Sequence, residues 1–180
     1  MSEKTVWLPA LIAVVIGVFL TDPALAADSY AIDPAHSGIE FSIRNLVVGR
    51  VHGRFSEFSG TILFDGGEIP QSSVTADIQT TSIVTGNRRR DEHLRSSAFF
   101  DTAVYPSATF QSARVEPLGD GYMCVGTLTL HGVSREIRIP FQISRKENGT
   151  GNTDRIGIEA DLTLNRRDYG ISWNPLIGMR

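Results

Sequence analysis

The sequence predicts an all-β domain whose antiparallel strands close into a barrel carrying one short helix. Apolar and polar residues alternate with period two over several separate runs, which is the pattern of strands with one face on a core and the other in water. Glycine-containing turn signals punctuate those runs, and a single segment breaks the alternation with helix-forming residues.

The chain opens with a segment that stands outside the fold. Lys4 precedes the almost wholly apolar run Trp7 to Leu20, and the small-x-small sequence Ala24-Leu25-Ala26 follows. That order matches a secretory signal peptide, and the apolar run is shorter than the ~20 residues that cross a bilayer. Cleavage is expected after Ala26, so residues 1–26 are removed and residues 27–180 form one exported domain.

The strands then follow in order. Ser37–Arg44 places Ile39, Phe41 and Ile43 on one face and Glu40, Ser42 and Arg44 on the other. Phe58, Ile62 and Phe64 share a parity through Ser59–Phe64. Ser73–Thr80 sets Val74, Ala76 and Ile78 against Thr75, Asp77 and Gln79. Gly121–Leu130 sets Tyr122, Cys124, Leu128 and Leu130 against Thr127 and Thr129. Glu136–Ser144 sets Ile137, Ile139, Phe141 and Ile143 against Arg138, Gln142 and Ser144, and Arg155–Leu164 aligns Ile156, Ile158, Ala160, Leu162 and Leu164. Turns are signalled at Asp65-Gly66-Gly67, Gly119-Asp120-Gly121, His131-Gly132 and Asn148-Gly149-Thr150-Gly151-Asn152. Short connections of this kind imply hairpins, and antiparallel sheets protect their edges best by closing on themselves.

Thr85–Arg95 is the exception. Arg88 with Glu92 and Asp91 with Arg95 stand at i,i+4, where opposite charges meet on a helix, so a helix is expected from about Arg88 to Arg95. An irregular stretch ending at Pro106 follows.

Composition narrows function. Seventeen Lys and Arg against 20 Asp and Glu give a net charge of −3, which excludes nucleic-acid binding through a general basic field. Cys124 is the single cysteine, so no intrachain disulfide forms and the residue reads as a small buried hydrophobe.

Several strings resemble the YceI-like family in the same order: YAIDPAHSGIEFSIRNL, VHGRFSEFSGTILFD, TGNRRRDEHLRSSAFFD, YPSATFQS, GTLTLHGV and LNRRDYGISWN. They run from Tyr30 to Asn174. The resemblance implies a lipocalin-like barrel of about eight strands with a short helix, located in the periplasm or secreted. It also implies that the interior holds a polyisoprenoid chain or isoprenoid quinone, with transient membrane contact. Two departures stand out. Ala98 replaces an acidic residue of the family string, and the chain stops at Met179-Arg180 where the family continues into a final strand. Either that strand is lost, or Leu176–Arg180 begins a shortened one.

The inward residues of the alternating runs are aliphatic and phenylalanine-rich, and Phe99, Phe100, Phe110 and Trp173 add to them. An eight-stranded barrel has room for packed side chains or for one ligand. Alternation by itself favours a dry core, and the family resemblance favours a lipid tunnel. Arg88, Arg89, Arg90, His93 and Arg95 form a basic cluster in which Arg89, Arg90, His93 and Arg95 are the candidates for holding a phosphate head group. Its competing role is a solvated helix face balanced by Asp91 and Glu92. Arg166 and Asp168, in the counterpart of the family's NRxDFGI, read as a structural corner.

The four histidines His36, His52, His93 and His131 show no metal-ligand spacing. His36 and His131 lie beside turns, where an imidazole often bonds the backbone. No G-x-S-x-G elbow supplies a nucleophile, and no cofactor is called for. The expectation is an exported isoprenoid-lipid carrier or scavenger without catalysis. Its rivals are a redox or quinone-linked accessory enzyme using the histidines and arginines, and an interaction module pairing through an open strand edge.

Overall fold

The computed structural model describes residues 27–45, 49–147 and 155–172. The expected signal segment and cleavage site, the expected turn 148–152, Trp173 and the expected closing segment Leu176–Arg180 lie outside the described residues.

Ten strands are found among the described residues: β1 (Asp28–Ala31), β2 (Ile39–Asn45), β3 (Gly49–Phe55), β4 (Phe58–Phe64), β5 (Ser73–Gln79), β6 (Ile83–Val84), β7 (Ser107–Leu118), β8 (Gly121–Leu130), β9 (Val133–Glu147) and β10 (Arg155–Ala160). Seven pair in the order β1-β4-β5-β7-β8-β9-β10, and β2-β3-β6 form a second sheet. Each pairing is antiparallel, and the whole makes a nearly closed barrel with one helix, α1 (Arg88–Arg95). The last alternating run is shorter than its pattern. β10 ends at Ala160, and Leu162 and Leu164 lie in an irregular segment, 38% and 40% exposed.

Register sets which residues face inward. Phe58 stands opposite Ile78, and Ile78 opposite Ala108. Gly60, Ala76, Phe110 and Leu128 form the next cross-strand row. A β-bulge between Ser112 and Arg114 shifts β7, so that Val115 returns to the inner face opposite Cys124. In the second sheet a side chain at Gly53 would strike the ring of Phe41, which lies across β3. The buried inner cluster is Phe110, Val115, Cys124, Leu128 and Tyr169.

On the outer face Val125 stands between Arg114 on β7 and Arg138 on β9 and is fully buried. Their aliphatic stems cover it while both guanidinium groups reach Glu116, at 2.6 Å from Arg114 Nε and 3.2 Å from Arg138 Nη2. The hydrogen bond from Arg114, joined by the charges of Arg114 and Arg138, holds the Glu116 carboxyl below its usual range against a smaller opposing effect of burial.

One end of the barrel is closed by α1 and the residues after it. Asn87 caps the helix by accepting from the Arg90 amide at 3.0 Å. Arg88 pairs with Glu92 at 3.0 Å as the spacing predicts, but the expected Asp91–Arg95 pair does not form. Asp91, buried, instead accepts from the amide and hydroxyl of Thr85 at 2.9 and 2.5 Å. Arg95 donates to the carbonyls of Thr81 and Ile83 at 2.7 and 2.6 Å. Unpaired backbone groups at the strand ends are stronger claimants on these side chains than each other's charges.

Asp91→Ala orphans two donors of Thr85 and is expected to lower stability by about 1–3 kcal/mol, read from chemical denaturation. Because the Glu116 carboxyl titrates lower in the folded chain than in the unfolded one, its contribution is present above the ordinary carboxylate pKa and is lost as pH falls through the depressed value. Glu116→Gln should therefore lower the melting temperature slightly at neutral pH, where the exposed pair is solvent-screened, and match the wild type in acid, so that the acid limb of the profile is flatter.

Candidate functional site

The inner wall is apolar but incompletely packed. Phe64, Phe110 and Leu128 are buried. Ile39, Phe41, Phe58, Ile62, Val74, Ile78, Leu130, Ile137, Ile139 and Phe141, on the same inward parity, are only half-buried. Ile43 and Ile158 retain 41% and 36% exposure. A filled barrel core would bury such residues as fully as other protein interiors do. A wall that keeps part of its apolar surface open borders a space, and covering that surface is favourable by roughly 25 cal/mol per Å².

A groove of about 750 Å³ lies between the β1–β2 link and β8–β10, a size suited to a ligand site. Tyr122 and Phe141 stack on its floor with centroids 5.5 Å apart, and Ile158 and Ala160 supply one side. Its polar rim includes Asp120, Glu159 and Asp161, and no Lys, Arg or His is among the lining residues. From Tyr122 to Leu130, β8 spans the interior in eight residue steps, roughly 26 Å.

The predicted head-group residues do not gather around one point. Arg90 is engaged by Thr85, through its hydroxyl at 2.7 Å and its carbonyl at 2.9 Å, and Arg95 by the carbonyls named above. Arg89 is exposed on the helix. His93 meets the edge of Phe99 at 5.1 Å, and the Arg166 guanidinium lies 5.6 Å from the same ring. Phe100 packs edge-on against Phe55 at 5.9 Å, and Phe55 against Phe41 at 5.7 Å. Phe99 and Phe100 thus line the closed end, and Phe100 ties it to the second sheet. His36 bonds the Asp33 carboxylate at 2.7 Å, and His52 sits on β3. Among the described residues no three His, Cys, Asp or Glu side chains come together as a metal site.

Two residues beside the inner cluster escaped the sequence pattern. Arg135 stands opposite Leu128 and so falls on the apolar face of β9, a position that extending the Ile137–Ile143 alternation by one step would have revealed. Tyr169 ends the 3₁₀ turn Arg166–Tyr169 and is 2% exposed within the inner cluster. That turn is pinned from several sides. Arg135 Nε donates to the Asp168 carbonyl at 2.6 Å, and His131 Nδ1 lies 3.0 Å from the Tyr169 carbonyl. The Asn165 side chain accepts from the Arg167 amide at 3.2 Å, and Gly170 leaves the turn at φ 74°. Burial raises the Tyr169 phenol above its ordinary pKa, so the hydroxyl keeps its proton at neutral pH.

Cys124 lies on the same wall, and burial pushes its thiol up as well. A thiol-specific fluorophore at neutral pH should label the native protein far more slowly than the guanidinium-unfolded chain; equal rates would place Cys124 outside the wall.

The YceI-like domain model matches residues 30–180. A UPF0312 protein of Yersinia pestis (strain Pestoides F) is 35% identical over 157 residues, covering 86% of this chain and 81% of its own. A UPF0312 protein of Pseudomonas paraeruginosa is 36% identical over 173 residues, covering 95% and 88%. The Campylobacter jejuni YCEI protein superposes with a TM-score of 0.65 at 30% identity, over 78% of this chain and 83% of that one. BcnA of Burkholderia cenocepacia shares the fold with a TM-score of 0.70 at 23% identity, over 82% and 89%. A Saccharophagus degradans domain described as polyisoprenoid binding does so with a TM-score of 0.51 at 23% identity, over 81% and 78%. By sequence and by fold, the chain belongs to the YceI-like family.

Proposed function

We propose that the protein is an exported lipid carrier or scavenger that holds a long isoprenoid chain, a polyprenyl lipid or isoprenoid quinone, in the barrel interior and performs no catalysis on it. The observation that carries this reading is the inner wall, which is apolar along most of its length from β2 to β10 yet half-buried, and two of whose aromatic residues, Tyr122 and Phe141, also line the groove. A prenyl chain in that space gains ~0.8 kcal/mol for each CH₂ removed from water. The Saccharophagus domain, described as polyisoprenoid binding, supports an isoprenoid over other apolar cargo. The Trp7–Leu20 run with its Ala24-Leu25-Ala26 site supports export to the periplasm or beyond.

Purification from a bacterial periplasm without detergent, then native mass spectrometry and organic extraction, should yield one prenyl lipid or quinone per chain. Folded protein that carries no lipid, and takes none from prenyl-lipid vesicles, would overturn the proposal.

A further inference from the structure

Among the described residues, one buried side-chain oxygen or nitrogen has no hydrogen-bond partner, and it is the Tyr169 hydroxyl. Buried polar groups are almost always paired, because leaving one unsatisfied costs roughly as much as a lost hydrogen bond. The ring of Tyr169 fills space in the inner cluster, and its carbonyl is taken by His131. Neither role needs the hydroxyl. Its cluster companions, Phe110, Val115, Cys124 and Leu128, offer a phenolic O–H no good acceptor. Within the described residues the hydroxyl has no partner.

Resting on the lipid-binding reading, we infer that Tyr169 is the recognition residue of the interior. Its hydroxyl donates to a neutral oxygen, a carbonyl or hydroxyl, on a prenyl lipid that enters head-first toward the closed end.

Three observations select this ligand class and orientation. The 3₁₀ turn carrying Tyr169 is held by Arg135, His131 and Asn165, so the donor is positioned before the ligand arrives. Tyr169 is 2% exposed and its buried cluster companions are apolar, so a diphosphate would lose its hydration there at a cost of several kcal/mol. Arg135, the cation whose charge reaches Tyr169, is solvent-exposed and its Nε is committed to Asp168. At the opposite end the groove rim carries Asp120, Glu159 and Asp161, which would repel an anionic head but leave a hydrocarbon tail indifferent.

The test compares delipidated wild-type protein with Tyr169→Phe, which removes one oxygen and keeps the ring. Affinities are measured for a short-tailed prenyl quinone, geranylgeraniol and squalene. Tyr169→Phe should weaken the quinone and the alcohol on the order of tenfold, leave squalene unchanged, and leave the unliganded melting temperature equal or higher. Equal affinities of the two proteins for the oxygenated lipids would overturn the inference alone. So would a matching loss for squalene, which marks a packing role, or a lower unliganded melting temperature, which marks a protein partner for the hydroxyl. Wild-type protein that binds none of the three probes would overturn the carrier reading, and this inference with it.

Discussion

Where the strands of a barrel stop, their amides and carbonyls lose ladder partners, and at the end closed by α1 side chains replace them. Arg95 serves the carbonyls of Thr81 and Ile83, Arg90 that of Thr85, Asp91 the Thr85 amide, and Arg135 and His131 the carbonyls of Asp168 and Tyr169. Thr80 adds a bond of 2.6 Å to the Tyr105 carbonyl. Burying an unpaired backbone group is costly, so this end can be dry only because charged and hydroxyl side chains turn inward to the chain. The same commitment decides what those residues do not do. Arginines spent on carbonyls are poorly placed to hold a phosphate.

Much of this fold is legible in the sequence. The runs that became β2, β4, β5, β8 and β9 show an alternating inner parity, and α1 spans Arg88–Arg95 as its charge spacing predicts. The strands that escaped did so for physical reasons. β7 loses its alternation at the Ser112/Arg114 bulge, where a shift in register exchanges the two faces. On β3 a glycine at position 53 stands where an apolar side chain would have marked the pattern, because the Phe41 ring occupies that space. β6 has two residues, too few to show a period. The candidate site divides in the same way. The apolar wall is visible as parity, but spacing carries no information on whether a wall is packed or hollow. Spacing also cannot show that Arg90 and Arg95 turn to the backbone, or that Tyr169 enters the cluster from a turn remote in sequence.

The two faces of the large sheet are stabilised differently. Outside, Val125 is fully covered by the stems of Arg114 and Arg138, whose charges converge on Glu116. Inside, aliphatic and aromatic residues of the same strands remain half-exposed. Part of the apolar surface that would ordinarily stabilise the fold therefore stays uncovered, and a ligand that occupied it would add to stability by mass action.

The pairing order carries a consequence for how the chain assembles. β7, β8, β9 and β10 are neighbours in sequence and in the sheet, so β8, β9 and β10 each join their predecessor across a short connection. β1 is different, because its partner is β4 and the β2–β3 hairpin lies between them. Formation of that hairpin shortens the effective loop separating β1 from β4, and so lowers the entropy lost when they meet. A β2–β3 hairpin that has already zipped would thus act as a clasp, bringing the earliest strand nearer its partner.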